Sequence, residues 1–532
     1  MSELAEAAGN LSPGEEAFEL WRKRVGVLLT PAAFAVAYWL CDGLTPQGRT
    51  LSAILAAVGV LWVTEVVPLP VTALVGAVLC VVLGVAPADR VLANFADPIV
   101  FVFIGSFILA RAMMLHRLDR RIAMGFLSVP WVGGSPARMM GGIGLVTAVL
   151  SMWVSNTATT AMMLPIALGV LSALHQARVD AGLASGPMNA RAWPFATGMM
   201  LMVAYAASIG GIGTPVGSPP NLIAIGLIKK ATGVDIGFFT WMKLCVPLLL
   251  AMGAVLFLLL IALHPSRAAG GPRGSRGSRG AGGVRVDLRG YVAGERAKLG
   301  EWTRGEFNTL VAFGVAVLLW MLPGLLRLPV FDGVAWPVKT ADWMKTNLPE
   351  SVVALVAAIL LFVLPVDLRR GQFTITWDEA AKIDWGTILL FGGGLALGAL
   401  MFDTGVAKAM GEALTAKLGV NSLWAMTALA VAMGIVLSEA TSNTAAANML
   451  VPVAIAIAQA AGVSPLPPAL GACLGASYGF MLPVSTPPNA IAYGSGLVPI
   501  TRMVRAGVLF DVLGFFVIIA GLRVLCPLLG LV

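Results

Sequence analysis

One short stretch occurs twice in this chain and constrains its fold more than any other feature. The first copy reads Ser151-Met152-Trp153-Val154-Ser155-Asn156-Thr157, then Ala158 and an apolar run to Pro165. The second reads Ser438-Glu439-Ala440-Thr441-Ser442-Asn443-Thr444, then Ala445 and an apolar run to Pro452. Each copy has a later companion, Gly217-Ser218-Pro219-Pro220-Asn221 and Ser485-Thr486-Pro487-Pro488-Asn489. Small polar residues and proline pairs inside apolar segments mark non-helical backbone at membrane depth. Such backbone is tolerated only where protein buries it or where it lines a cavity. Two matching sets predict internal repeats with a binding site where they meet.

The surroundings are those of a membrane protein. Of 532 residues, 58% are hydrophobic and 12% charged, against about 25% charged in soluble domains. Apolar runs long enough to cross a bilayer recur throughout. The formal charge of +8 sits in a few loops without interleaved aromatics, so nucleic acid is not an expected partner. Cys41, Cys80, Cys245, Cys473 and Cys526 are scattered and read as small apolar filler. His116, His175 and His264 lie far apart at segment ends. The polar first residues lack the apolar core of a cleavable signal.

Taken in order, the chain predicts eleven spans and two re-entrant helical hairpins, an all-α polytopic fold. Spans are expected near 25–40, 51–67, 69–85 and 98–114. A basic amphipathic stretch, Leu115-His116-Arg117-Leu118-Asp119-Arg120-Arg121, follows the fourth. Glu65 sits near a segment end, where an interfacial carboxylate and a functional one are equally good readings. The arms 141–154 and 158–174 are each short for ~30 Å of hydrocarbon, which favours a hairpin with Ser155-Asn156-Thr157 at its tip. A broken span at 194–227 and an unbroken one at 238–263 come next. The second half repeats the plan, with spans at 307–325, 352–365 and 385–401, a hairpin at 423–460, a broken span at 469–497 and a last span at 508–529. The Gly/Ser/Arg stretch within 264–306 offers nothing to pack and reads as a cytosolic linker. Lys and Arg concentrate in 1–24, 111–138, 177–193, 264–306, 366–384 and 498–505, which places those segments and the N-terminus inside, the C-terminus outside, and the two halves in inverted topology.

The tips offer hydroxyls, amides and helix N-termini, a set that suits a carboxylate or similar oxyanion. Freed carbonyls with Ser and Asn oxygens make a hard-oxygen cage for a cation such as Na+. Neither motif contains Lys or Arg, so a co-bound cation would neutralise the anion. A membrane enzyme lacks its required residue clusters here. A channel usually needs rings of charge or carbonyl filters.

At these motifs, and at Trp62…Thr64-Glu65…Pro68-Leu69-Pro70, the sequence resembles the divalent anion/sodium symporters, carriers of di- and tricarboxylates and in some members sulfate. The resemblance runs from about residue 25 to the C-terminus. It implies a first Na+ site at Ser151, Ser155, Asn156 and Gly217, and a second at Ser438, Thr441, Asn443 and Ser485. Substrate would be held by Asn156, Thr157, Ser218, Ser442, Asn443, Thr444, Thr486 and Pro487. It further implies a homodimer in the cytoplasmic membrane, with no organic cofactor and an elevator-type motion. The segments 25–97, 228–263, 307–384 and 498–532 would be scaffold, and 98–227 and 385–497 would be transport region. The expected function is Na+ symport of a C4-dicarboxylate such as succinate, malate or fumarate. A dicarboxylate exchanger, a proton-coupled carrier, and a citrate or sulfate carrier are the alternatives.

Overall fold

The computed structural model describes residues 13–132, 135–180, 182, 184, 186–190, 193–266, 288–331, 333–418 and 422–532. The Gly/Arg-rich part of the expected linker lies outside these residues, as does the start of the N-terminal tail. Helices dominate. Ten described helices are long and apolar enough to cross a membrane, or eleven when the bent pair Ala335–Asn347 and Glu350–Val363 counts as one span. Large apolar side chains stand exposed along them, including Leu258, Val436, Phe516 and Leu528. A soluble surface rarely carries so much apolar area. This is a multi-pass membrane protein.

The first half runs α1 (Pro13–Leu40), α2 (Pro46–Thr64), α3 (Leu69–Val82), α4 (Ala88–Leu92), α5 (Pro98–Leu115) and α6 (Leu118–Leu127). It continues through α7 (Pro136–Ser151), α8 (Asn156–Asp180), α9 (Pro194–Gly210), α10 (Pro219–Thr232) and α11 (Phe238–Leu263). After α12 (Leu288–Leu299) the second half runs α13 (Arg304–Leu325), α14 (Ala335–Asn347), α15 (Glu350–Val363), α16 (Trp377–Ala380) and α17 (Trp385–Asp403). It ends with α18 (Val406–Leu418), α19 (Leu423–Ala440), α20 (Asn443–Ala460), α21 (Leu466–Ala476), α22 (Pro487–Gly494) and α23 (Ile500–Leu528). A two-stranded hairpin, β1 (Pro365–Asp367) and β2 (Gln372–Phe373), sits before α16.

The halves pack reciprocally. α5 lies against α15, with Gly105 on the Ala354 backbone, and α17 lies against α3, with Gly393 on Ala73. Each half thus places the same element against the other half, as two related repeats do.

The first motif is a hairpin. Gly144 meets Met202 and Ala148 meets Gly210, so α7 runs parallel to α9. Asn156 meets Gly211 while the His175 ring lies 6.1 Å from Trp193, so α8 runs back along α9. In the second motif Thr427 meets Gly471 and Gly434 meets Ala476, and both α19 and α20 pack on α21.

Several boundaries differ from the sequence reading. α1 begins at Pro13, inside the expected tail, and its Arg22 pairs with Glu65 at 3.2 Å. That ion pair gives Glu65 a partner at the C-cap of α2. Part of the expected linker is helical: α12 docks on α6 through Arg120 and Glu295, 2.7 Å apart. α13 opens with a capping box at Thr303 and Glu306, and Glu306 accepts from Arg121 Nε at 2.6 Å. Two expected loops, 327–350 and 402–422, contain α14 and α18.

Candidate functional site

Each hairpin tip is closed by the same bond. Ser151 Oγ donates to Asn156 Oδ1 at 2.7 Å, and Ser438 Oγ donates to Asn443 Oδ1 at 2.8 Å. The asparagines themselves open the following helices, α8 and α20, two residues earlier than the sequence suggested. Ser155 Oγ accepts from Ala158 N and Ser442 Oγ from Ala445 N, which caps each helix. A capping hydroxyl still has its own hydrogen to give.

The breaks in the spanning segments are bridged just as regularly. Asn221 Nδ2 donates to Gly211 O and Thr214 O, both at 2.8 Å. Asn489 Nδ2 donates to Gly479 O and Leu482 O, both at 3.0 Å. In each break the amide reaches back ten and seven residues. Buried backbone without such partners would cost a few kcal/mol per group. The sequence reading placed these two asparagines in the breaks without giving them a role. Their signal was their position directly after each proline pair.

The breaks also gather oxygens. The position a Cβ on Gly217 would occupy lies 2.6 Å from Gly211 O, 2.8 Å from Met152 O and 3.0 Å from Ser151 O. Only glycine leaves that space open. At Gly479 the equivalent position lies 2.9 Å from Ser438 Oγ and 3.0 Å from Ser438 O, beside Ser485. Both cradles suit a hard cation that takes oxygen ligands. Thr214 Oγ1 donates to Met152 O and so holds the first cradle. In the second, Glu439 accepts from Met481 N at 2.7 Å and from the Ser485 hydroxyl. Asp511 of α23, itself buried, lies near Glu439. Thr441 is turned away from the cavity and donates to Trp62 O at 3.0 Å.

One cavity of about 470 Å³ joins the two halves. All eight expected substrate residues line it: Asn156, Thr157, Ser218, Ser442, Asn443, Thr444, Thr486 and Pro487. Ser155, Gly217 and Ser485 also face it, whereas Ser151, Ser438 and Thr441 lie behind. Four helix N-termini meet here, those of α8, α10, α20 and α22, with their positive dipole ends toward the space. Prolines fill the first two positions of α10 and α22 and remove two N–H groups from each. The backbone donors for an anion therefore come mainly from the hairpin helices.

The motifs carry no basic residue, but the cavity does. Arg111 of α5 and Lys382, just beyond α16, line it together with Asp384. Arg111 Nη2 and Lys382 Nζ each lie 2.5 Å from one oxygen of Glu379. These bonds, Lys382's first and then Arg111's, hold the Glu379 carboxyl below the usual carboxylate range. Arg111 and Glu379 are 268 residues apart, so no local sequence signal could join them.

The family model described as the sodium:sulfate symporter transmembrane region matches residues 21–532. The chain belongs to this family. An uncharacterized transporter of Haemophilus influenzae is 33% identical over 475 residues, covering 89% of this chain and 91% of its own. A protein of Staphylococcus saprophyticus named sodium-dependent dicarboxylate transporter SdcS is 31% identical over 514 residues, covering 94% and 91%. Among solved structures, the Alcanivorax borkumensis YdaH transporter aligns with a TM-score of 0.54 at 12% identity, over 82% of this chain and 87% of that one. At that identity the likeness is one of fold. Family membership makes the protein a transporter rather than an enzyme.

Proposed function

We propose that the protein is a Na+ symporter for C4-dicarboxylates such as succinate, malate or fumarate. The observation that carries this reading is the single cavity on which both hairpin tips and both breaks present neutral donors. One carboxylate per tip is the simplest occupancy. A cation in each oxygen cradle offsets the charge of the dianion, which otherwise costs several kcal/mol per unpaired carboxylate to desolvate. Ser151, Ser155, Asn156 and Gly217 serve the first cation, and Ser438, Asn443 and the backbone carbonyls of Thr441 and Ser485 the second. The name of the Staphylococcus relative supports both halves of this reading.

In this reading the protein is a homodimer in the cytoplasmic membrane, with its N-terminus in the cytosol, its C-terminus outside and its halves inverted. The two hairpins and broken helices move as a transport unit against the remaining scaffold. Uptake of labelled succinate into proteoliposomes, with and without an inward Na+ gradient, tests the core of it. Full uptake in choline-only buffer would sink the Na+ assignment.

A citrate carrier is the second reading, favoured by Arg111 and Lys382 on the cavity wall. They supply basic donors that the motifs lack. Competition of citrate against labelled succinate at about pH 7.5 separates the two, because citrate is then almost fully ionised. If citrate competes as well as malate, the citrate reading replaces the first.

A further inference from the structure

We propose that Arg111 and Lys382 form a carboxylate-docking station at the wall of the transport cavity, held by Glu379 until an anion's carboxylate takes its place. This rests on the reading of the cavity as a carboxylate-binding site.

The two cations grip the two oxygens of one carboxylate, Arg111 Nη2 on Oε2 and Lys382 Nζ on Oε1, each at 2.5 Å. That is the geometry a free carboxylate would need, already made by a side chain of the protein. Charge-assisted bonds to a guanidinium are among the stronger polar contacts. Glu379 also leaves capacity unused. Arg111 Nε is buried and has no acceptor. A guanidinium has five N–H donors, and Glu379 takes one of them, from Arg111 Nη2.

Position argues in the same direction. Phe107, Ala110, Arg111 and Met114 put one face of α5 on the same cavity as the hairpin tips. Lys382 approaches from the loop side, after α16. Asp384 is the other charged group on this wall, but it caps α17, accepting from Thr387 N at 3.0 Å and from Thr387 Oγ1 at 2.6 Å. It therefore does not compete for the two cations. Among these four charged groups, Glu379 alone is bonded to both cations.

Exchange of one carboxylate for another keeps both cations paired throughout. A dicarboxylate bound at the tips leaves Glu379 in place. A third carboxylate, or a dianion on its way to or from the tips, displaces it.

Calorimetric binding to detergent-purified protein in saturating Na+ tests this without regard to membrane side. Succinate, citrate and sulfate are first titrated into the parent. Na+-dependent binding of sulfate alone would reject the carboxylate reading of the site, and the variants are then compared on sulfate. Otherwise citrate is the probe, and a parent that binds succinate but no citrate overturns the proposal. The station predicts effects of opposite sign. Lys382→Gln raises the Kd about threefold, and Arg111→Gln with Lys382→Gln raises it about tenfold. Glu379→Gln lowers it about threefold, because the resident competitor is gone. A triad that merely ties α5 to α16 would make all three variants bind more weakly. Weaker binding by Glu379→Gln, or a double variant within about 1.5-fold of the parent, overturns the proposal. Lys382→Gln leaves the Arg111–Glu379 pair intact, so the sign test stands even if the Arg111 variant fails to fold.

Discussion

At the first break, Asn221 bonds carbonyls ten and seven residues back, and at the second Asn489 does the same. The reinforcement around them differs. The first break is held by Thr214, whose hydroxyl donates to Met152 O. The second is held by the carboxylate of Glu439, which takes Met481 N and the Ser485 hydroxyl. Glu439 and Met152 occupy the same place in the two motif copies. One cradle is thus braced through neutral groups, and the other has a negative charge directly behind it. If both cradles take a cation as proposed, equal chain geometry does not mean equal cation sites. In a low-dielectric setting a charge so close to an ion matters more than any single hydroxyl.

The largest expected effect tests what the copies share. Asn156→Ala and Asn443→Ala each remove the amide oxygen that closes a tip, along with a proposed donor to the anion. Succinate uptake should fall about 100-fold in both, with the protein still monodisperse in detergent. A variant that keeps more than about a tenth of parental uptake would show that its tip is dispensable and break the parallel.

Glu439→Ala tests the difference. It strips two bonds from the second break and removes the charge behind it. The Na+ concentration for half-maximal uptake should rise about tenfold. Met152→Leu, the matching change in the first copy, should stay within about twofold, because Met152 acts there through its carbonyl. Equal shifts in the two variants would mean that the carboxylate gives the second site nothing special.

Thr214→Val is the milder probe of the first copy. It deletes one hydroxyl that donates to Met152 O and accepts from Gly217 N. A net loss of about 1 kcal/mol corresponds to roughly fivefold weaker Na+ activation. No change in Na+ activation would show that the first cradle holds its shape without it. The smallest effect belongs outside both copies. Deleting 268–282 should leave uptake within about twofold of the parent, a change worth under ~0.5 kcal/mol. Loss of uptake by a well-expressed deletion would assign that stretch a role of its own.

The hairpins and breaks were legible because their signals are local. A Ser-Asn-Thr tip between apolar arms and a Pro-Pro-Asn break each lie within a few consecutive residues. The unbroken span at 238–263 was equally plain, since it is apolar apart from Thr240 and Lys243. Helices α12, α14 and α18 read as loops because charged residues and nearby glycines hid their short amphipathic patterns. Glu439 could have been singled out, being the one charged side chain in either motif copy; intramembrane carboxylates are functional candidates by default. The Arg111–Glu379–Lys382 cluster could not, because only the fold brings α5 to α16.

The bond from Thr441 to Trp62 O has a consequence for how the molecule rests. It ties the second tip to α2, whereas the first copy has Val154 at the matching place and no hydroxyl to offer. If that tip slides past α2 during a transport cycle, this bond breaks on every passage. A net bond of ~0.5–1.5 kcal/mol weights the arrangement seen here by roughly two- to thirteenfold over one without it. On that condition the carrier idles with its second tip latched, and the pause before each stroke is set partly by one threonine.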